Sequence, residues 1–206
     1  MIEPPASEQP ARESGLDPIF ASVSSATGRS ADICVRLVPS MRHINLRGNS
    51  NDAKFVSAVA MVLGQHLPVE SNTMSIGSHC VYWLGPDEWL IVTAYENDED
   101  LLTQLLVLQE NYHVALTDVS GGNVLLRLTG ECVREVFAKG CTLDFHPDAM
   151  PTGHCAQSGL AKASVLIGHI DDEPTWDVVV RRSFSEYLCL WLQSAGAEYG
   201  VQFSVT

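Results

Sequence analysis

The sequence is poor in basic residues, with 12 Lys and Arg against 25 Asp and Glu and a formal net charge of -13. A chain with this balance repels polyanions, so we expect it to bind neither nucleic acid nor an anionic membrane surface. It also has no apolar stretch long enough to span a bilayer. Its first residues, MIEPPASEQPARESGLDP, lack an apolar core and carry acids, so no secretory signal is expected there.

The cysteines form no C-x-x-C pair and are scattered along the chain: Cys34, Cys80, Cys132, Cys141, Cys155 and Cys189. Hydrophobic residues make up 46% of the sequence, so the chain can bury a core without a disulfide framework. Free cysteines are among the most deeply buried side chains, and free thiols persist in reducing compartments. We therefore expect unpaired thiols and a cytoplasmic location.

Two parts of the chain differ in composition. Residues 1–32 are rich in Pro, Ser, Ala and Glu and show little periodicity, which is typical of an extended arm. Such an arm is either a solvated acidic tail or a segment that lies across a partner subunit. From Ile33 onward the pattern is that of a globular unit, which we predict to be a single α+β unit made of two halves, 33–119 and 120–206.

The two halves show the same order of elements: strand, helix, strand, strand, helix, strand. In the first half, NDAKFVSAVAMVLGQHL has helical spacing with Asn51 or Asp52 as its cap, and a hairpin turns at 85–87. A further hairpin is predicted to turn on Gly121-Gly122. This order is a split βαβ unit met twice, so we predict antiparallel sheets with helices packed on one face.

The last helix is apolar over most of its circumference. Ser183 and Glu186 match a capping box that would start it. Helical spacing predicts one core face, with Cys189 and Leu190 outside it: Phe184, Tyr187, Leu188, Trp191, Leu192 and Ala195. The additional apolar surface is buried either by a second layer of the same domain or by a partner protein. Our candidate interface residues are Arg181, Arg182, Cys189, Leu190 and Trp191.

A search for chemistry finds no catalytic, cofactor-binding or metal-binding residue to predict. The segment HPDAMPTGHC contains His146, His154 and Cys155, but ligand number and spacing both fail for a closed zinc site. Cys141 and Cys155 lack any signature of a thiol nucleophile. The SGGN segment is too short for a dinucleotide or phosphate-binding loop, and it does not open a helix.

Several ordered blocks resemble the gamma subunit family of bacterial heterotetrameric sarcosine oxidase: TDVSGGNVLLRLTG, AKGCTLDFHP, GHCAQSGLAKASVLI and VVVRRSFSEYLCLWLQSAG. The resemblance runs from about Met41 to Gly200. It implies membership of a complex that oxidatively demethylates sarcosine to glycine, releases hydrogen peroxide and transfers the one-carbon unit to tetrahydrofolate. It also implies the folate-binding fold of the glycine-cleavage aminomethyltransferase.

The same resemblance implies alpha, beta and delta partner subunits, with FAD, FMN, NAD, zinc and tetrahydrofolate held on those subunits. It implies no active site in this chain, whose role would be that of a non-catalytic structural subunit. The alternative is a stand-alone folate-binding enzyme of the aminomethyltransferase or tRNA-modifying class. That alternative makes Asp118, Asp171 and Asp172 the acids to test.

Overall fold

The computed structural model describes residues 32–95 and 101–205. The predicted N-terminal arm therefore lies outside the described residues, except for Asp32. The strands of the described ranges are β1 Ile33–Val38, β2 Met41–Arg47, β3 Met74–Ile76, β4 Cys80–Gly85, β5 Glu88–Ala94, β6 Ala115–Asp118, β7 Asn123–Thr129, β8 Cys155–Leu160, β9 Ala163–Asp171, β10 Thr175–Arg181 and β11 Val201–Val205. The helices are α1 Ala53–Leu63, α2 Leu101–Val107, α3 Val133–Ala138 and α4 Arg182–Ala195.

Local signals set both ends of α1, and its start agrees with one of the two predicted caps, Asn51 or Asp52. Asp52 caps the helix, because its Oδ1 accepts hydrogen bonds from the amides of Lys54 (2.9 Å) and Phe55 (3.4 Å). Gly64 ends the helix in the left-handed region at φ 65°, which costs glycine little because it has no Cβ. The face of α1 that packs inward carries Phe55, Val59 and Leu63.

The chain forms two sheets, and each contains the predicted split βαβ order. The first sheet has the strand order β3-β4-β5-β2-β6 and is antiparallel throughout. The second has the order β11-β1-β7-β10-β9-β8, in which only β1 and β11 run parallel. The α+β prediction with largely antiparallel sheets is confirmed.

The elements stack in four layers, helix, sheet, sheet and helix. One core lies between the first sheet and helices α1 and α2, and a second lies between the second sheet and helices α3 and α4. The third core joins the two sheets face to face, and we call it the intersheet layer: Met74, Tyr82, Leu90, Val92, Leu125, Cys155, Leu166 and Val179. Each sheet therefore has helices on one face and the other sheet on its opposite face.

The predicted hairpin at Gly121-Gly122 is wrong. β6 pairs with β2 in the first sheet, whereas β7 pairs with β1 and β10 in the second. The glycines lie in a short 3-10 turn, Ser120–Gly122, that carries the chain from one sheet to the other. The turn is held by Asp118, whose Oδ1 accepts from the Ser120 amide (2.9 Å) and hydroxyl (2.5 Å).

The chain also passes between the sheets after β1. This strand comes from the first predicted half but lies in the second sheet, between β11 and β7. The predicted halves 33–119 and 120–206 therefore describe the order of elements along the chain. They differ from the two sheets by one strand, because β1 belongs to the first half and lies in the second sheet. Together, the β1–β2 turn and the β6–β7 turn are two covalent connections between the sheets.

The start of α4 also differs from the prediction. The helix begins at Arg182, and its N-cap residue, Arg181, makes no side-chain capping hydrogen bond. Ser183 and Glu186 lie inside the first turns, so the predicted capping box does not start the helix. The inward face consists of Ser185, Leu188, Cys189 and Leu192. The predicted face was rotated, since Cys189 lies in the core and Phe184 is 43% exposed.

Candidate functional site

Three charged or polar side chains meet in the intersheet layer. The Tyr82 hydroxyl on β4 donates to Asp177 Oδ2 on β10 (2.9 Å). Arg127 on β7 donates to both carboxylate oxygens, from Nε to Oδ1 (2.7 Å) and from Nη2 to Oδ2 (2.9 Å). Tyr82 and Asp177 are fully buried, whereas the Arg127 side chain is 32% exposed. The two-pronged contact is the strong geometry for an arginine and a carboxylate.

Strand register brings this network together. Arg127 and Asp177 are direct partners in the antiparallel β7–β10 pair, and Gly168 on β9 is the next residue across the sheet. A Cβ at Gly168 would lie 2.7 Å from the Tyr82 ring, so the glycine makes room for that ring. The sequence patterns did not predict this network, although an aspartate in the apolar run TWDVVVRR is a signal for a buried partner.

The electrostatics of the network suit a structural role. Burial and the neighbouring Asp177 carboxylate raise the pKa of Tyr82 well above its ordinary value. The hydrogen bonds to Asp177 raise the pKa of the Arg127 guanidinium. Neither pKa is shifted toward neutral pH, where the pKa of an effective general acid or base lies. The network fastens the two sheets to each other.

An open cleft of about 660 Å³ lies elsewhere between the sheets. Its apolar floor includes Leu90, Leu166 and Val179, which belong to both sheets. Its polar rim consists of Asn45, Glu88, Thr117, Asn123, Gln157, Ser158, Ser164 and Arg181. Part of this rim is already hydrogen-bonded within the chain, since Asn45 Nδ2 donates to Glu88 Oε1 (2.8 Å) and Gln157 Nε2 donates to the Leu84 carbonyl (2.9 Å).

The histidines and the cysteine of the HPDAMPTGHC segment lie in different environments, since His146 is exposed and His154 is half-buried. Cys155 is buried and donates from Sγ to the Thr73 carbonyl (3.2 Å), and burial raises its pKa to about 12. A thiol in that state is a poor nucleophile at neutral pH. Cys141 is half-buried with its Sγ 3.5 Å from Ser158 Oγ. Residues 32–95 and 101–205 contain no group of three or more His, Cys, Asp or Glu placed to hold a metal ion.

The acids considered for a folate site lie at two turns. Asp118 ends β6 and orders the turn to Ser120. Asp171 ends β9, and Asp172 follows it and accepts a hydrogen bond from Thr152 Oγ1 (2.8 Å). Asp171 Oδ1 is buried without a hydrogen-bond partner. None of these three acids is among the residues that line the 660 Å³ cleft.

The candidate interface residues separate into two groups. Arg181 and Arg182 are exposed, Leu190 is 49% exposed and Trp191 is half-buried against Gly140. Cys189 is fully buried in the core beneath α4, and burial raises its pKa to about 12. Its side chain therefore packs within this chain and is not presented at the surface. Phe184, which was assigned to the core, is exposed and meets Tyr187 edge to face at 6.5 Å.

Comparison with known proteins agrees with this architecture. Residues 47–198 match the model of the sarcosine oxidase gamma subunit family. The chain belongs to this family. Among curated members, the sarcosine oxidase gamma subunits of Corynebacterium sp. strains P-1 and U-96 are 28% and 29% identical over 145 residues. Each alignment covers 69% of this chain, and they cover 70% and 69% of the two relatives.

Solved structures extend the comparison to the fold. A chain of the heterotetrameric sarcosine oxidase from Corynebacterium sp. U-96, in complex with pyrrole 2-carboxylate, superposes with a TM-score of 0.82 at 25% identity. That match covers 91% of this gamma-family chain and 96% of the other. The aminomethyltransferase T of the glycine cleavage system from Bartonella henselae has a TM-score of 0.60 at 14% identity, covering 84% of this chain and 48% of that one. The second likeness shows a shared fold.

Proposed function

We propose that this chain is the non-catalytic gamma subunit of a heterotetrameric sarcosine oxidase. The assembled enzyme would oxidatively demethylate sarcosine to glycine with release of hydrogen peroxide and transfer the one-carbon unit to tetrahydrofolate. The observation that carries this proposal is the family match over residues 47–198, together with the superposition on a chain of the Corynebacterium enzyme over nearly its whole length.

The state of the described side chains supports a structural role. The buried carboxylate of Asp177 is bound by Arg127, and the buried thiols of Cys155 and Cys189 have raised pKa values. The reactive chemistry would then belong to the alpha, beta and delta subunits, which would hold FAD, FMN, NAD, zinc and tetrahydrofolate. All six cysteines are free thiols, which supports a cytoplasmic assembly.

The surface that we propose for partner contact is the side of α4 turned away from its buried face, together with the preceding Arg181, and we call it the α4 flank: Arg181, Arg182, Phe184, Leu190 and Trp191. Phe184 and Leu190 are large apolar side chains exposed to 43% and 49%. Aromatic side chains and arginine are enriched at protein interfaces. Permanent interfaces resemble a core cut in half, so apolar residues left outside the core of the protomer are expected there.

Among the helices of the described residues, none has the length and apolar character that crossing a membrane requires.

The test is to recover the tagged full-length chain from its native cells and to record the absorption spectrum, subunit masses and sarcosine turnover of what accompanies it. We expect a yellow complex with three further polypeptides that releases peroxide from sarcosine. A colourless single polypeptide that binds tetrahydrofolate would contradict the proposal and support the stand-alone folate-binding enzyme. A colourless single polypeptide that does not bind folate would contradict both.

A further inference from the structure

A small pocket lies beside the two connections between the sheets, and we call it the turn pocket. It has a volume of about 80 Å³. Its apolar wall comes from both sheets and the β1–β2 turn: Leu37, Val38, Pro39, Met41, Val124 and Leu125. Its polar lining consists of Ser40, His43, Tyr95, Ser120, Asn123 and Arg182. The space suits a few waters or one small polar group on a short apolar stem.

His43 is the informative member of this lining. The residue is only 2% exposed, and neither of its ring nitrogens makes a hydrogen bond of good geometry, although the Met41 carbonyl lies near enough to favour the charged ring. A neutral imidazole carries one donor and one acceptor, and leaving them unpaired when buried is costly. Buried polar atoms without partners are uncommon in folded proteins and call for an explanation such as an occupant of the adjoining space.

The charged side chains near His43 indicate which kind of ligand the turn pocket would bind. Arg182 is exposed and lines the pocket as the first residue of α4, a helix of 14 residues whose N-cap residue makes no side-chain capping bond. Helix N-termini favour anions. Arg42 stacks over the Tyr95 ring at 5.0 Å from its centroid. The acidic neighbour is Asp118, whose carboxylate already accepts hydrogen bonds from Ser120.

We propose that the turn pocket binds a carboxylate group, with His43 and Arg182 as donors and the apolar wall enclosing the carbon stem. This inference goes beyond the proposed function, because it concerns a site that needs no flavin, folate or metal. The carboxylate comes either from a free small acid or from an Asp or Glu side chain of a partner subunit, since Arg182 also belongs to the α4 flank.

Sodium acetate is the first probe, added to the full chain labelled with ¹⁵N in its histidine rings and compared with sodium chloride at equal ionic strength. The His43 pKa is about 4, because burial disfavours the charged ring more than the Met41 carbonyl and Asp118 favour it. Acetate is expected to raise that pKa saturably, to about 5 or above, because a nearby anion stabilises the imidazolium. Chloride should not do so.

Arg182→Gln tests the assignment of the second donor. We expect it to weaken acetate binding about tenfold, because it removes a charge-assisted hydrogen bond. The matched control is Arg36→Gln, an exposed arginine on β1 that is not part of the turn pocket. This control should bind acetate as the unaltered chain does. Near-ultraviolet circular dichroism checks that both variants are folded.

The assembled complex distinguishes the two sources. If a partner carboxylate fills the pocket, the His43 pKa is already raised in the complex and acetate changes it no further. If the ligand is a free acid, acetate raises the pKa equally in the free chain and in the complex. If acetate does not alter His43 in the free chain and its pKa stays about 4 in the complex, the pocket holds water only and the proposal is overturned.

These outcomes are independent of the proposed function. A chain that forms no flavin complex but binds acetate through Arg182 would contradict the subunit assignment and leave the carboxylate site standing. A chain that forms the complex, but whose His43 pKa stays about 4 both in the complex and in the free chain with acetate, would do the reverse.

Discussion

Two regions of the intersheet layer differ in how their buried polar groups are hydrogen-bonded. Around Tyr82, Asp177 and Arg127, buried polar groups from both sheets satisfy one another. Around His43 the same layer leaves a buried ring without partners beside a pocket of about 80 Å³. The comparison teaches that a closed region of the layer needs internal pairing, whereas an open region can leave that pairing to an occupant.

The largest effect is expected from Arg127→Met, which leaves the Asp177 carboxylate buried and unpaired by charge. Removing one partner of a buried pair costs about 3–5 kcal/mol, so the free energy of unfolding should fall by that order in urea denaturation. The control is Arg36→Met, because Arg36 is an exposed residue directly opposite Arg127 across β1 and β7. A change there should stay within about 0.5 kcal/mol. Equal losses in the two variants would show that the Arg127–Asp177 pair does not fasten the layer.

Lowering the pH tests the region around His43 through its effect on the stability of the fold. The ordinary histidine pKa is 6.5, and that of folded His43 is about 4, so between these values the unfolded chain binds more protons. Stability should therefore fall as the pH drops from 6.5 to 4, by up to about 3 kcal/mol from this residue. His43→Leu should flatten the profile, although burial also lowers the pKa of His169, which both proteins retain.

The matched variant for that experiment is His66→Leu, since His66 is exposed on the loop after α1. Its stability should depend on pH as steeply as that of the unaltered chain. If His43→Leu leaves the slope unchanged as well, His43 is not held neutral by the fold, and the contrast between the two regions fails.

Overpacking of the closed region should have a smaller effect. Gly168→Ala places a methyl group 2.7 Å from the Tyr82 ring and 2.9 Å from Met74 Sδ. Forcing these groups apart typically costs about 1–3 kcal/mol. Gly159→Ala is the matched control on β8, because no atom lies within 4 Å of its added Cβ. Thermal unfolding of the two variants measures the difference. Similar midpoints would mean that the side chains around Gly168 can rearrange to accommodate a methyl group.

The smallest effect on stability is expected at the α4 flank. Leu190→Ser should change the free energy of unfolding by no more than about 0.5 kcal/mol, because Leu190 is 49% exposed. It should nevertheless lower the yield of flavin-bearing complex in the pull-down. Met61→Ser on α1 is the control, since Met61 is 83% exposed but lies on the helix layer of the other sheet. If the Met61 variant loses the complex and the Leu190 variant retains it, the partner contacts the other helix layer.

Much of the fold followed from local patterns in the sequence. The cap of α1 at Asp52 and the β4–β5 hairpin depend on residues only a few positions apart, so the sequence carried enough information to predict them. The repeated split βαβ order was also predictable, because it follows from the succession of elements. The supposed hairpin at Gly121-Gly122 failed because the partners of β6 and β7 are distant in sequence.

Local patterns were less informative about the sites. The candidate surface on α4 was predicted from apolar periodicity, but that pattern could not tell which side of the helix meets the second sheet. Cys189 was therefore placed outside the core and Phe184 inside it, and the structure reverses both. Asp177 and His43 were not recognised, because neither residue has its decisive neighbours close to it in sequence.

The sequence by itself determined the acidic balance, the helices and strands and the membership of the gamma subunit family, since each depends on composition or on ordered local blocks. Only the tertiary structure decided that β1 joins the second sheet, that Asp177 meets Tyr82 and Arg127, and that His43 faces the turn pocket. The physical reason is that strand pairing and face-to-face packing join residues dozens of positions apart. Whether a buried polar group is paired depends on those distant neighbours.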